Sequence, residues 1–245
     1  MFRHRGKSRT LNHNLKLASL LSFVAGIVNV SGFFSVQQLT TNVTGHFAFF
    51  ADEIVKQNFG YSTIFLFYIL AFFTGAFISS VVVETVQQWN SRIVTLIPVT
   101  AEIAILSTIA FLQEETILQY ANMIACTLLF AMGLQNALVT KISNSVVRTT
   151  HLTGLFTDLG IELSQLFFYR KVEQQLKLKS SIKLRLAIIS FFFFGCIVGG
   201  YTYFMYGMLT LLLAVLCLTG GLFYDNVKFR IVSYRRKRGG FRPED

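Results

Sequence analysis

Six blocks of about twenty apolar residues, separated by short polar or basic stretches, limit what this chain can fold into. They run Leu15–Phe34, Tyr61–Val83, Ile93–Leu112, Tyr120–Thr140, Lys183–Tyr203 and Tyr206–Tyr224. Each is close to the length an α-helix needs to cross the hydrocarbon core. The composition agrees, with 53% hydrophobic and only 14% charged residues. The predicted class is an all-α polytopic membrane protein with six transmembrane helices.

The net charge of +10 is concentrated at the two ends and in one loop. Arg3, Arg5, Lys7 and Arg9 precede the first block, and Arg235-Arg236-Lys237-Arg238 follow the last. Basic residues flanking apolar blocks read as topology signal and anionic-lipid contact rather than nucleic-acid binding, for which no motif is present. Cys126, Cys196 and Cys217 all fall inside apolar blocks without Cys-x-x-Cys or Cys/His spacing. Neither a disulfide framework nor a metal site is expected, and no cofactor. The first block has no small-x-small cleavage site after it, so a cleaved signal peptide is not expected.

A short polar phrase occurs twice. Thr41-Asn42-Val43-Thr44-Gly45 leads to Phe47 and Glu53, and Thr150-His151-Leu152-Thr153-Gly154 leads in the same register to Phe156 and Glu162. Each follows an apolar helix with Gly and Asn three apart, Gly26/Asn29 and Gly133/Asn136. Each precedes an aromatic helix with a glycine inside it, Phe72-Phe73-Thr74-Gly75 and Phe192-Phe193-Phe194-Gly195. Polar, glycine-broken segments at matching places in two halves point to a transporter's site.

The chain then divides into a basic cytoplasmic tail (1–14), a first repeat (15–112), a linker (113–119), a second repeat (120–224) and a basic cytoplasmic tail (225–245). Six spans put both tails, Arg92 and the basic 141–182 loop on the inside, with the termini cytoplasmic; eight spans would move Arg92, Lys141 and Arg148 outside. The positive-inside rule favours six. Three spans per half make the second half upside down relative to the first, an inverted repeat with a broken, re-entrant motif helix in each. Phe47–Gln57 and Leu155–Tyr169 would each be on the order of 15–23 Å long at helical rise, roughly half a crossing. Trp89, in the polar turn 84–92, is expected at the membrane interface.

On the second motif helix His151, Gly154, Asp158, Glu162 and Gln165 recur at spacings of three or four and share a face. Asn42, His46, Glu53 and Gln57 form a comparable stripe on the first. Two such faces meeting at a pseudo-two-fold axis would form a compact polar site, with two helix N-termini suited to an anionic or carbonyl group. Alternatively, these groups only bond one another and hold the halves together. Glu102, in an otherwise apolar span four residues after Pro98, is either a neutral, hydrogen-bonded acid or a proton relay. Arg148 reads as a topology residue, with Glu102 or Glu162 as alternative partners.

The string Ala25-Gly26 … Asn29 … Gly32-Phe33 … Thr44-Gly45 resembles the YoaK-like bacterial membrane proteins, the family called domain of unknown function 1275. So do Met132-Gly133-Leu134-Gln135-Asn136-Ala137, Arg148-Thr149-Thr150-His151-Leu152-Thr153-Gly154 and Thr157-Asp158-Leu159-Gly160. The likeness covers residues 17 to 224. The chain departs from it at Asn42 and His46, where Met-Thr-Gly-Asn is more usual, and at Asn29, where an acid is common. The resemblance implies a bacterial cytoplasmic-membrane protein with a transport role and no settled substrate.

The leading functional expectation is a small secondary transporter or permease, with proton coupling open, and a midplane site between the motifs. Asn29, Thr41, Asn42, Thr44, Gly45, Gln135, Asn136, Thr150, His151, Thr153 and Gly154 are the substrate-binding candidates; Glu53, Glu102, Asp158 and Glu162 are the charge and proton-relay candidates. Membrane lipid and an unknown small solute are the expected partners, and a homodimer fits a chain with several polar helices and only six spans. Two rival readings are a non-transporting adaptor that recruits a partner or anionic lipid through its basic loop and tail, and a passive channel. No protease, esterase or ATPase motif is present, so an enzyme is not expected.

Overall fold

The computed structural model describes residues 10–89 and 94–239. Residues 1–9 of the basic N-terminal tail, residues 90–93 with Arg92, and residues 240–245 lie outside the described residues. Nine α-helices and one 3-10 turn account for the described elements: α1 (Leu11–Val36), α2 (Val43–Val55), α3 (Phe59–Trp89), α4 (Leu96–Ala110), α5 (Glu114–Gln119), α6 (Ala121–Ser143), α7 (Leu152–Phe168), α8 (Val172–Tyr206), the 3-10 turn Gly207–Thr210 and α9 (Leu211–Gly239).

Several helices run past the apolar blocks that define them. The interfacial backbone still needs its hydrogen bonds, and continuing the helix supplies them. α1 starts inside the expected tail, where His13 turns back onto Thr10 at 3.0 Å. α3 continues through the polar residues 84–89 expected as a turn, and the 113–119 link contains α5. The basic stretch after Arg170 forms the opening turns of α8, and α9 carries on past Asp225.

Among the described residues four helical stretches are long and apolar enough to cross a membrane: Leu11–Val36, Phe59–Gln88, Ala121–Ser143 and Val172–Asp225. The last is 54 residues long and doubles back within its length. Gly207 takes φ +57°, a value L side chains avoid, and the 3-10 turn follows. α8 runs parallel to α1, with Phe23 against Phe194 midway along α1 and Phe34 against Phe204 near its C-terminal end. α9 then returns, bringing Tyr224 to within 3.1 Å of Lys16 at the start of α1. α4, at 15 residues, is apolar but shorter. Its end lines the same cavity as Phe34, Tyr203 and Met208, so α1, α4 and α8 finish together.

Two tight crossings hold the bundle. At the α1–α8 crossing a Cβ on Gly26 would collide with the backbone of Phe192 and Cys196, and one on Gly195 with that of Phe23. At the α3–α6 crossing a Cβ on Gly133 would collide with the backbone of Phe72 and Ala76, and one on Gly75 with that of Phe130. Lipid tails are as apolar as the helix surfaces, so such close backbone contact, rather than water exclusion, drives association. α3 and α6 are also parallel: Tyr68 donates to Asn122 Oδ1 at 2.6 Å near one end, and Lys141 pairs with Glu84 near the other. α1 and α6 pack on each other, α4 packs against α6 and α9 against α1, and α4 and α9 pack together. Leu17, Leu21, Ile27, Leu106, Leu128 and Met132 are buried in this seam.

Candidate functional site

Each motif begins where a long helix is stopped by a left-handed residue. α1 ends on Gln37 at φ 55° and α6 on Asn144 at φ 53°. The chain then folds back along the helix it has just left. In the first arm Thr40 donates to the Val28 carbonyl at 3.2 Å, and Thr41 donates to Asn29 Oδ1 at 2.8 Å. Asn29 lies seven residues before the end of α1, roughly 10 Å back at helical rise. In the second arm Thr149 accepts from Gln135 Nε2 at 3.4 Å, and the same amide nitrogen donates to the Leu21 carbonyl of α1 at 3.0 Å. Gln135 therefore ties the second arm, α6 and α1 together.

The helices that follow lodge against different partners. α2 packs on α3 and α7 on α8. Asn42 caps α2 by accepting from Gly45 N at 3.0 Å, as an Asx cap does. His151 stands at the matching position before α7 without a side-chain cap bond; its ring instead lies against Gly154, where a Cβ would meet it. Thr41 is buried and Thr150 half-buried, whereas Asn42, Thr44, His151 and Thr153 are exposed on the single chain and Gly45 and Gly154 half-buried. His46 is buried, bonding the Leu39 carbonyl at 2.9 Å and standing edge-on to Tyr68 at 5.1 Å.

The four acidic candidates occupy three environments. Glu53 stays on α2 with Lys56 at 3.9 Å. Asp158 and Glu162 share one partner, Arg185 of α8, at 2.8 and 2.9 Å, and Ser181 donates to Glu162 at 2.6 Å. Glu102, on α4, is fully buried and neither of its carboxyl oxygens has a hydrogen-bond partner. Other buried side-chain atoms without a partner are the hydroxyls of Ser22 and Ser31 on α1, Gln135 Oε1 and Asn136 Oδ1 on α6, His46 Nδ1 on α2, and the hydroxyls of Ser79 on α3 and Thr210 in the 3-10 turn. Buried polar atoms are normally paired, so the unpaired Glu102, Gln135 and Asn136 oxygens on the packed helices α4 and α6 have the chemistry to take up water or a polar solute.

Arg185 rather than Arg148 is the partner of Glu162. Its signal in the sequence was a cation two residues inside a predicted span, a costly place unless paired. The hydrogen-bonding roles of Thr40, Thr149 and Asn122 have no signal in the sequence, because nothing in their spacing says which helix faces them. Among the described residues no group of three His, Cys, Asp or Glu could hold a metal ion.

The family model described as "Protein of unknown function (DUF1275)" matches residues 17–224. The UPF0700 transmembrane protein YoaK of Bacillus subtilis (strain 168) is 27% identical over 178 residues, which cover 71% of this chain and 77% of that protein. No solved structure matches. With its apolar helices, this similarity makes the chain a multi-pass membrane protein.

Proposed function

This chain belongs to the DUF1275 family, and from that premise we propose that it is a small secondary transporter of a polar solute, coupled to protons, in a bacterial cytoplasmic membrane. Its architecture is two inverted repeats, α1–α4 and α6–α9, that supply six crossings. α2 and α7 are re-entrant half-helices entering from opposite faces. The packing supports this reading, because exchanging α1 with α6, α2 with α7, α3 with α8 and α4 with α9 turns each main contact into another one: α1–α8 into α6–α3, α2–α3 into α7–α8, α1–α9 into α6–α4. With the basic stretch 170–185 inside, both termini are cytoplasmic.

The solute site is the midplane seam where the arms reach α1 and α6. Asn29, Thr41, Gln135, Asn136 and Thr150 stand at its polar wall, and Glu102 is the proton carrier. Asp158, Glu162 and Glu53 sit on the hairpins that open and close it. The observation that carries the proposal is the fully buried Glu102 carboxyl with no protein partner, in the same helix packing as unpaired Gln135 and Asn136 oxygens. A buried acid in a membrane core is costly and is retained where it exchanges protons or binds solute. The solute passes through chemically unchanged.

The test is uptake by proteoliposomes. A library of small polar solutes is screened under an imposed proton gradient, and the responding solute is repeated with Glu102→Gln. The variant is expected to bind solute and to lose gradient-driven accumulation. Undiminished accumulation removes Glu102 from the mechanism. Flux that neither saturates nor follows pH replaces the transporter by a passive channel.

A further inference from the structure

Two grooves on the outside of the bundle are built from corresponding residues. One, of about 550 Å³, is lined by Leu15, Lys16, Ser19, Phe23, Phe191 and Phe194, with Gly221 and Tyr224 of α9. The other, of about 640 Å³, is lined by Asn122, Met123, Cys126, Phe130, Ala71 and Thr74, among others. Leu15, Lys16, Ser19 and Phe23 stand in the same spacing ahead of and around Gly26 as Asn122, Met123, Cys126 and Phe130 do around Gly133. The same holds for Phe191 and Phe194 before Gly195, and Ala71 and Thr74 before Gly75. The grooves therefore flank the two glycine crossings and open at opposite ends of the bundle.

They differ in charge. The α1–α8–α9 groove has an ammonium at its end, Lys16, which donates to the Tyr224 hydroxyl at 3.1 Å and lies 5.3 Å from that ring's centroid. An ammonium has three donors, so protons remain for an oxyanion beside Tyr224. At the corresponding position of the other groove stands Met123, and its polar members, Asn122, Thr74 and Thr127, are neutral. Apart from Ser19 and Gly221, the rest of the charged groove is walled by Leu and Phe side chains, with Phe191 and Phe194 well exposed.

We propose that the α1–α8–α9 groove is a binding site for one anionic phospholipid, its phosphate held by Lys16 and Tyr224 and an acyl chain laid against Phe23, Phe191 and Phe194. The charged end faces the cytoplasmic leaflet in the orientation given above, where anionic lipids set the surface potential. The α3–α6 groove, without a cation, takes lipid tails without regard to headgroup. The site rests on the orientation but not on transport, and lipid binding is read without a solute.

The experiment is native mass spectrometry of the full chain released from detergent, with phosphatidylglycerol and phosphatidylethanolamine of matched chains. The wild-type chain is expected to retain phosphatidylglycerol preferentially. Lys16→Gln is expected to lower that preference roughly fivefold, the worth of one basic residue against an anionic headgroup. Lys177→Gln, which removes an exposed cation of α8 paired with Glu173, is expected to leave it unchanged. Ser19→Phe, which fills the groove, should abolish it. An equal fall with Lys177→Gln would mean diffuse attraction to a basic surface and overturn the site. So would an unaltered preference in Lys16→Gln.

Discussion

Arg185 grips Glu162 with two hydrogen bonds, Nε to Oε2 at 2.9 Å and Nη2 to Oε1 at 3.0 Å. The same guanidinium reaches Asp158 Oδ2 at 2.8 Å, so one cation on α8 fixes two successive turns of α7. In the register of the two motifs Glu162 corresponds to Glu53 and Asp158 to Phe49. Phe49 stacks on Phe65 of α3 at 5.3 Å. One motif helix is thus fastened by aromatic stacking and the other by an ion pair.

Breaking the ionic fastening should cost more than any surface ion pair. Glu162 and Arg185 side chains are only 14% and 22% exposed. Arg185→Met is expected to destabilise by about 2–3 kcal/mol, below the full cost of orphaning a buried charge because some solvent reaches the pair. Asp158, half exposed, should lose less than about 1 kcal/mol as Asp158→Asn. In a double-mutant cycle Arg185→Met with Glu162→Gln should cost less than the sum of the single changes, by about 1 kcal/mol or more. Reversible denaturation in mixed micelles reads all three; strictly additive costs would show that the two side chains are not energetically coupled.

The glycine crossings predict a sharper contrast. Gly26→Ala and Gly133→Ala each push a methyl into backbone of the facing helix, which cannot rotate away as a side chain can. Each should destabilise by about 1–3 kcal/mol, the usual cost of overpacking. Gly160 and Gly220 have nothing within 4 Å of a built Cβ, and both lie in helices. Alanine there should be neutral or stabilising by up to about 1 kcal/mol through helix propensity. Equal losses at all four positions would remove close backbone approach as the reason for these glycines.

Much of this was legible beforehand, for physical reasons particular to each element. The apolar blocks announce α1, α3 and α6 because lipid leaves a helix few alternatives. The Thr-Gly repeats mark α2 and α7 because two matching polar breaks in so apolar a chain need a reason. What stayed hidden was pairing in space. Two sequences with matching faces do not say that α2 lies on α3 and α7 on α8 while only the arms reach α1 and α6. The helical course of the basic stretch after Arg170 was hidden too, since its charges suit a loop and an interfacial helix equally. Arg185 belongs to that stretch, and its role follows only once α8 is seen beside α7.

The first arm can be loosened without touching the core. Thr41→Val removes the donor to Asn29 Oδ1 and should cost about 1 kcal/mol, with Thr41→Ser close to wild type. Asn42→Ala removes the acceptor for Gly45 N, again about 1 kcal/mol, and Asn42→Asp should keep the cap. Amide hydrogen exchange should quicken in the first turn of α2 in both damaged variants and leave α7 unaffected. Matching acceleration in α7 would mean that the two arms move as one unit.

The inverted arrangement proposed above makes a prediction about access that a same-sided fold cannot meet. Thr44 and Thr153 hold equivalent places in the two motifs and are both exposed on the single chain. With Cys126, Cys196 and Cys217 replaced by serine, Thr44→Cys and Thr153→Cys are compared in intact cells and in inverted vesicles, using a charged thiol reagent that does not cross the bilayer. Thr44→Cys should react from the periplasmic face and Thr153→Cys from the cytoplasmic face. Their rates should be well below that of a cysteine at Lys177, which lies in the exposed opening of α8, because in the proposed arrangement a reagent must follow water to the foot of a re-entrant helix. Excess solute that occupies the seam should slow both, from opposite sides of the membrane. Reaction of both from one face would instead require eight crossings or helices lying on the surface, and the α1–α6 seam would then lose its claim to be a shared passage.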